Sequence, residues 1–183
     1  MADERVVYAQ TVEALVRHIL PPPQQRALQP QLKAMGIDLS RPLEVQYSLV
    51  EVWDRAALLA ANTLFPGRSR EDALHELGAR FIEAFHHTLA GKAVIALGKV
   101  VGAEASIRRL EKIFRSGNNF TKVTVKKLGP GLFEVEMNEP HHSQTYVQGL
   151  LSRGLKLLGV ERGEVTFLER QPQSCTFRIA LGG

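Results

Sequence analysis

Cysteine is almost missing from the sequence, and this limits the class of protein. Cys175 is the single cysteine among 183 residues, so an intrachain disulfide cannot form. Disulfides belong mainly to secreted and extracellular domains, and a lone thiol is typical of a reducing compartment. Residues 1–5 also lack the basic-then-apolar order of a secretory signal peptide. We therefore expect a cytoplasmic chain.

Long apolar runs are missing as well. The most apolar stretch, residues 84–101, is interrupted by two histidines and two lysines. A membrane-spanning helix needs about 20 consecutive, mainly apolar residues. The sequence therefore predicts no membrane span, and its length suits a single domain over residues 1–183.

The histidines do not have the spacing of a metal site. Four of the six form two adjacent pairs, His86–His87 and His141–His142. Neighbours on a helix point about 100° apart, so such a pair does not clasp one ion as a pair four residues apart does. We predict no metal site.

A nucleophilic site is also not expected. Cys175 falls in phase with Phe177 and Ile179 on the apolar face of a predicted strand. A buried free cysteine usually serves packing, because reactivity needs an accessible, electropositive setting. The sequence thus predicts a protein that is not an enzyme. A hydrolase that uses Cys175 with a histidine is the enzymatic alternative.

The positive charge is unevenly distributed. The net charge is +4, but residues 92–127 hold nine basic residues against two acidic ones, a local balance of +7. We favour a solvated helix face beside a strand's outer face. The alternative is a patch that binds nucleic-acid phosphates. Its four candidate residues are Arg108, Arg109, Lys112 and Arg115.

The first part of the chain, residues 1–115, has a helical period. Thr11 is expected to cap the first helix, Ser69 with Asp72 resembles a capping box, and Gly102 should end the long run that this box opens. The predicted helices cover residues 5–20, 31–35, 45–64, 69–102 and 105–114.

The later part, residues 120–183, alternates between apolar and polar residues, as half-buried strands do. Two hairpins, at 122–137 and 165–181, flank a helix at 143–158. The sequence therefore predicts an α+β fold in which N-terminal helices pack on a C-terminal antiparallel sheet of ββαββ order.

Several large apolar side chains could converge between these helices and the sheet. A solid core is the alternative, because most such residues at helical spacing are packing. The six considered are Tyr8, Trp53, Phe81, Phe85, Leu89 and Tyr146. Our predicted ligand pocket consists of Trp53, Phe81, Phe85 and Tyr146.

Seven short motifs spread over nearly the whole chain carry a family resemblance. They are YAQTVEAL at 8–15, LKAMGID at 32–38, LFPG at 64–67, Ala73 with Leu77–Gly78, TLAG at 88–91, RSGNNF at 115–120 and LGP at 128–130. In these motifs the sequence resembles a paralogous family of uncharacterised function that is expanded in myxobacteria.

The segment YVQGLLSRGLKLL at 146–158, with the two strands after it, is similar to a wider fold group. That group holds the four-vinyl-reductase-type domain, the Bet-type transport-particle subunits and the haem nitric-oxide/oxygen-binding domain. The resemblance implies helices on a twisted antiparallel sheet, often with an apolar molecule or acyl chain between them. The acylated relatives use a cysteine on a helix, whereas Cys175 lies on a predicted strand, so acylation is not carried over.

Haem binding is not carried over from this resemblance either. The haem-binding relatives have a Tyr-x-Ser-x-Arg motif, and residues 141–145 here, HHSQT, share only its serine. The helix 104–115, where the axial ligand is expected, contains no histidine. We therefore predict no cofactor.

These observations lead to a non-enzymatic sensory or adaptor domain. It would bind a small apolar ligand or a protein partner, as a homodimer. The alternative is a nucleic-acid-associated regulator that uses the basic 92–127 stretch.

Overall fold

The fold is known from a computed structural model, which describes residues 4–138 and 144–182. The histidine pair 141–142 and Ser143 lie outside the described residues, as does part of the segment compared with the haem motif. Sixteen helical and strand segments follow one another along the described chain.

The N-terminal part is mainly helical. Its elements are β1 (Val6–Tyr8), α1 (Ala9–Glu13), a π-helical segment (Ala14–Ile19), α2 (Pro22–Ala34), β2 (Gln46–Ser48), a second π-helical segment (Leu49–Asp54), α3 (Arg55–Leu64), α4 (Arg70–Phe85), α5 (Leu89–Val101), α6 (Ala103–Ile107) and α7 (Leu110–Arg115). β1 and β2 form a small antiparallel pair, with Val7 opposite Tyr47.

The C-terminal part forms the main sheet. Its elements are β3 (Val123–Gly129), β4 (Leu132–Asn138), α8 (Gln144–Leu157), β5 (Glu164–Arg170) and β6 (Ser174–Ala180). The four strands are antiparallel in the order β3-β4-β6-β5. The predicted α+β class and ββαββ order are therefore confirmed.

The two central strands of this sheet are buried on one face. Phe133 and Val135 of β4 stand opposite Ile179 and Phe177 of β6, and all four are at most 1% exposed. Alternation puts these side chains on one face, toward the helices. The buried apolar residues of the helical part and of the sheet form one continuous cluster. The prediction of a single domain is consistent with this cluster.

The long helical run predicted for 69–102 is wrong, because it is two helices. α4 begins as predicted at Ser69, whose hydroxyl oxygen accepts the Asp72 N–H at 3.1 Å. The break lies at residues 86–88, where the hydroxyl oxygen of Thr88 accepts the Gly91 N–H at 3.1 Å and so caps α5. A Cβ atom at Gly91 would overlap the Phe85 carbonyl, so only glycine allows this tight turn. Gly102, at φ 84°, ends α5 as predicted.

Three other helix predictions are also corrected. Thr11 does not cap α1, because its hydroxyl donates to the Gly117 carbonyl at 2.7 Å. The predicted short helix 31–35 is the end of α2, which begins at Pro22, since proline without an N–H fits the first helical turn. The predicted helix 45–64 opens with β2 and a π-helical segment, and the predicted helix 105–114 is α6 followed by α7.

Helices α4 and α8 cross in direct backbone contact. A Cβ atom at Gly78 of α4 would overlap the Tyr146 carbonyl, and one at Gly149 of α8 would overlap the His75 carbonyl. A Glu83–Arg153 ion pair joins the same two helices. This crossing holds the start of α8 close to α4 above the sheet.

No helix within residues 4–138 and 144–182 is long and apolar enough to cross a membrane.

Candidate ligand cavity

A cavity of about 180 Å³ lies between the helices and the sheet. Its lining comes from β1, α1, the second π-helical segment, helices α4 to α8, the loop 117–121 and strands β4 and β6. Both the helical part and the main sheet therefore contribute to it. No charged residue lines it within the part of the chain that the structure describes.

All four side chains predicted for a ligand pocket lie in this lining. The Phe81 ring is central: its centroid is 5.6 Å from that of Trp53, 5.9 Å from that of Phe85 and 6.2 Å from that of Tyr146. Each of the four residues is at most 8% exposed. Aromatic rings at these separations attract one another, and this adds to the free energy gained by burying their apolar surface. The cluster is therefore a stable part of the cavity lining.

The fold explains why these residues meet. Phe81 and Phe85 are four residues apart on α4 and so share a face. Tyr146 is brought to them by the helix crossing, because its own carbonyl rests against Gly78. Trp53 lies in the second π-helical segment, whose other buried residue, Leu49, also lines the cavity.

The polar groups of the lining are largely used inside the protein. Four polar side chains already bond to backbone groups: Thr11, Ser106, Asn118 and Asn138. The Ser106 hydroxyl donates to the Gly102 carbonyl at 2.8 Å, and the Asn118 amide oxygen accepts the Thr121 N–H at 2.9 Å. Because buried polar groups are costly without partners, these bonds leave a mainly apolar interior for a guest.

Tyr146 stays neutral in this setting. Its phenol is buried, and the loss of solvation raises its pKa above the ordinary value of 10.0. The phenolate is therefore disfavoured at neutral pH.

Cys175 is not part of the cavity lining. Its side chain is fully buried on β6, and burial raises its pKa to about 11. The thiolate is the nucleophilic form, so this position does not fit nucleophilic catalysis.

Two of the six apolar residues considered from the sequence lie elsewhere. Leu89, at the start of α5, is 88% exposed, and Tyr8 is not a lining residue. The period of α4 continued into 86–102 suggested that Leu89 faced inward, but the break at Thr88 turns α5 and leaves Leu89 outside.

The predicted basic patch lies outside the cavity. All four residues are exposed, and Arg108 pairs with Glu104 at 3.2 Å. Lys127 contacts the same carboxylate at 2.6 Å, and both cations hold the pKa of Glu104 below its ordinary value. Part of the charge that the sequence assigned to this patch is therefore neutralised.

The described histidines do not form a metal centre. The ring centroids of His86 and His87 are 5.8 Å apart, and those of His18 and His87 are 5.6 Å apart. No group of three or more potential ligands occurs among the described residues.

Much of the lining was missed by sequence reasoning. Val7 reaches the cavity because β1 bridges to Asn118 in the loop before the main sheet. Ile95 and Gly98 of α5 and Leu158, just after α8, also line it. Periodicity marks these residues as apolar but does not show which of them surround empty space.

A family model described as a protein of unknown function, DUF2378, matches residues 5–180 of the chain. None of the curated proteins matches it significantly.

Solved structures of H-NOX domains have a similar fold. An oxygen-binding H-NOX domain related to soluble guanylate cyclases, in its oxygen complex, has a TM-score of 0.69 at 16% identity and covers 94% of each chain. A mutant H-NOX of T. tengcongensis has a TM-score of 0.68 at 16% identity, over 94% of this chain and 96% of its own. An H-NOX structure from work on haem distortion has a TM-score of 0.69 at 15% identity, over 96% of this chain and 95% of its own. At these identities the likeness concerns the fold.

The cavity does not fit a haem group. Met137 and Tyr146 are the lining residues whose types serve as axial haem ligands, and the raised pKa of Tyr146 disfavours the phenolate. Haem carboxylates need cationic partners, and no arginine or lysine is among the described lining residues. Among the described residues, the sheet and helices of this fold are thus present without the donor set that haem requires.

Proposed function

The chain belongs to the family of unknown function DUF2378, and we propose that it is a sensory domain that captures a small apolar molecule in the cavity between its helices and sheet. The observation that carries this proposal is the apolar cavity, whose described lining holds no charged residue and includes the cluster of Trp53, Phe81, Phe85 and Tyr146.

Volume and polarity define the ligand class. A cavity of about 180 Å³ is close to an engineered apolar cavity of about 150 Å³ that binds benzene or xenon. It is smaller than the roughly 300 to 1,000 Å³ of sites for drug-sized ligands. A compact neutral molecule near the size of benzene fits, whereas a charged head would remain unpaired among apolar side chains.

The same observations support a role without catalysis. The described lining residues include no histidine, cysteine or carboxylate that could form a nucleophile-and-base pair, and the one thiol, Cys175, is buried outside the cavity with a raised pKa. The hydrolase hypothesis based on Cys175 therefore has little support. A cytoplasmic location, a homodimer, a myxobacterial origin and kinship with the four-vinyl-reductase-type and Bet-type proteins stay predictions from the sequence.

The nucleic-acid alternative has weaker support than the cavity, because Glu104 already pairs with Arg108 and Lys127. Arg109, Lys112 and Arg115 remain its candidates. Binding through phosphates should weaken steeply as salt rises, whereas capture of an apolar ligand should change little.

The proposal is tested on the full chain with benzene and with benzoate, its charged counterpart. We expect benzene to raise the melting temperature and to shift the NMR signals of lining methyl groups, and benzoate to do neither. A Gly154→Leu variant supplies the matched test, because a Cβ atom at this lining position meets no heavy atom within 4 Å.

We expect Gly154→Leu to fold and to lose the benzene response, since its side chain competes for the cavity. The control, Lys156→Leu, adds the same side chain at an exposed site of the same helix and should keep the response. No benzene response in the parent chain, or an unchanged response in Gly154→Leu, would contradict the proposal.

A further inference from the structure

Helix α5 presents apolar side chains outward as well as inward. Its buried residues are Gly91, Ile95 and Gly98. Its outer stripe, which is exposed throughout, consists of Leu89, Ala93, Ala96, Leu97 and Val100. Leu89 is 88% exposed and Val100 is 84% exposed. These residues recur every three or four positions and so form one continuous line along the helix.

The charge along this stripe has one sign. Lys92 and Lys99 are exposed and lie seven residues apart, so both flank the same side of the outer stripe. α5 contains no acidic residue. An apolar face edged by lysines is the pattern of helices that lie in the interface of an anionic bilayer.

We propose that the outer stripe of α5 docks on a membrane surface that contains anionic phospholipids. The occupant follows from charge and shape. Antiparallel pairing of two copies through the stripe would bring their lysines together, with no acidic residue of α5 to pair with them. Leu89 and Val100 are too exposed to line a groove. A bilayer accepts such a projecting helix, whereas protein partners of a helix usually enclose it in a groove. The proposal does not depend on ligand capture in the cavity.

The mode of attachment is peripheral. α5 has 13 residues, too few for the roughly 20 that a span requires. The apolar residues would enter the boundary between headgroups and acyl chains, while the lysines contact anionic headgroups. Attachment should therefore be reversible and should weaken as salt rises.

The test is co-sedimentation of the full chain with vesicles of phosphatidylcholine alone or mixed with equal phosphatidylglycerol. We expect binding to the mixed vesicles and little binding to phosphatidylcholine alone. Changing Lys92 and Lys99 together to Gln should weaken binding to the mixed vesicles about 30-fold, at about fivefold per lysine near an anionic surface.

The apolar stripe is tested by the triple variant Leu89→Ser, Leu97→Ser and Val100→Ser. The residues are exposed, so the variant should keep the melting temperature and lose vesicle binding. The control changes two exposed valines outside α5, Val45→Ser and Val50→Ser, which are 82% and 56% exposed; it should bind like the parent chain.

Three results would overturn the proposal. They are no binding of the parent chain to the mixed vesicles, equal binding to both vesicle types, and unchanged binding of the triple variant. Self-association that the triple variant abolishes, without vesicle binding, would instead assign the stripe to a second copy.

Discussion

The α4–α8 crossing and helix α5 both line the cavity, but they pack against the rest of the protein in different ways. α8 crosses α4 with its backbone in contact at Gly78 and Gly149, and Tyr146 of α8 completes the aromatic cluster. α5 lines the same cavity with Ile95 and Gly98, but its outer stripe faces solvent. The crossing packs backbone against backbone, whereas the outer side of α5 is exposed.

Because of this difference, the two parts of the cavity lining should differ in rigidity. Close packing of backbones allows little movement without large cost, so the α4–α8 wall keeps its shape. A helix with few buried contacts opens locally at lower free energy than the core. We therefore expect α5 to open more readily than the α4–α8 crossing.

The largest expected effect is at the crossing. Gly149→Ala would place a methyl group on the His75 carbonyl, and backbone cannot yield as a side chain can. We expect a loss of about 3 kcal/mol or more in the free energy of unfolding, the upper end of the usual cost of overpacking. Urea unfolding followed by circular dichroism measures it.

The matched control is Gly154→Ala on the same helix, where the added Cβ meets nothing within 4 Å. It should stabilise the chain by up to about 1 kcal/mol, since alanine is the better helix former. Similar stabilities for the two variants would show that the crossing is not the tight contact described above.

The second prediction concerns Cys175, which is buried on β6 of the main sheet. Its pKa of about 11, against an ordinary 9.0, means that the folded chain holds the thiol proton more strongly than the unfolded chain does. At pH 8 we expect alkylation by iodoacetamide to be about 100-fold slower in the folded than in the urea-unfolded chain.

The raised pKa also sets a pH dependence of stability. The contribution of Cys175 is fully present below pH 9 and is lost as pH rises toward 11, because the unfolded thiol ionises first. An added thiol at the exposed Ala96 of α5, in a Cys175→Ser background, should react at the ordinary rate. Equally fast reaction of Cys175 and of this thiol would contradict the burial of Cys175.

The sequence predicts the sheet better than the helical part. Alternation in 122–137 and 165–181 follows directly from having one buried face, and the ββαββ order results. The break at 86–88 is decided by a cap at Thr88 and a close approach at Gly91 that no apolar period reveals. Thr11 resembles a cap but bonds to Gly117, 106 residues away, which local reasoning cannot anticipate.

The candidate site is partly predictable for a similar reason. Large aromatic residues at helical spacing are expected to face inward, and Trp53, Phe81, Phe85 and Tyr146 do so. Whether they fill the interior or border a cavity depends on how far α5 stands from the sheet. That separation is a property of tertiary packing, and no spacing in the sequence encodes it.

The smallest expected effect is on the exposed side of α5. Leu97 of α5 is 55% exposed and Leu77 of α4 is 1% exposed, so Leu97→Ala and Leu77→Ala make the same chemical change on the two walls. Leu77→Ala should cost about 2 to 5 kcal/mol, because it leaves a void in a packed interior. Leu97→Ala should change the free energy of unfolding by less than about 0.5 kcal/mol, as surface substitutions do. Urea titration of both variants gives the comparison.

A loss above about 1 kcal/mol for Leu97→Ala, well outside that surface range, would mean that this face of α5 is covered in the isolated protein. Self-association of the chain, measured by its sedimentation in the absence of vesicles, would then replace the membrane proposal.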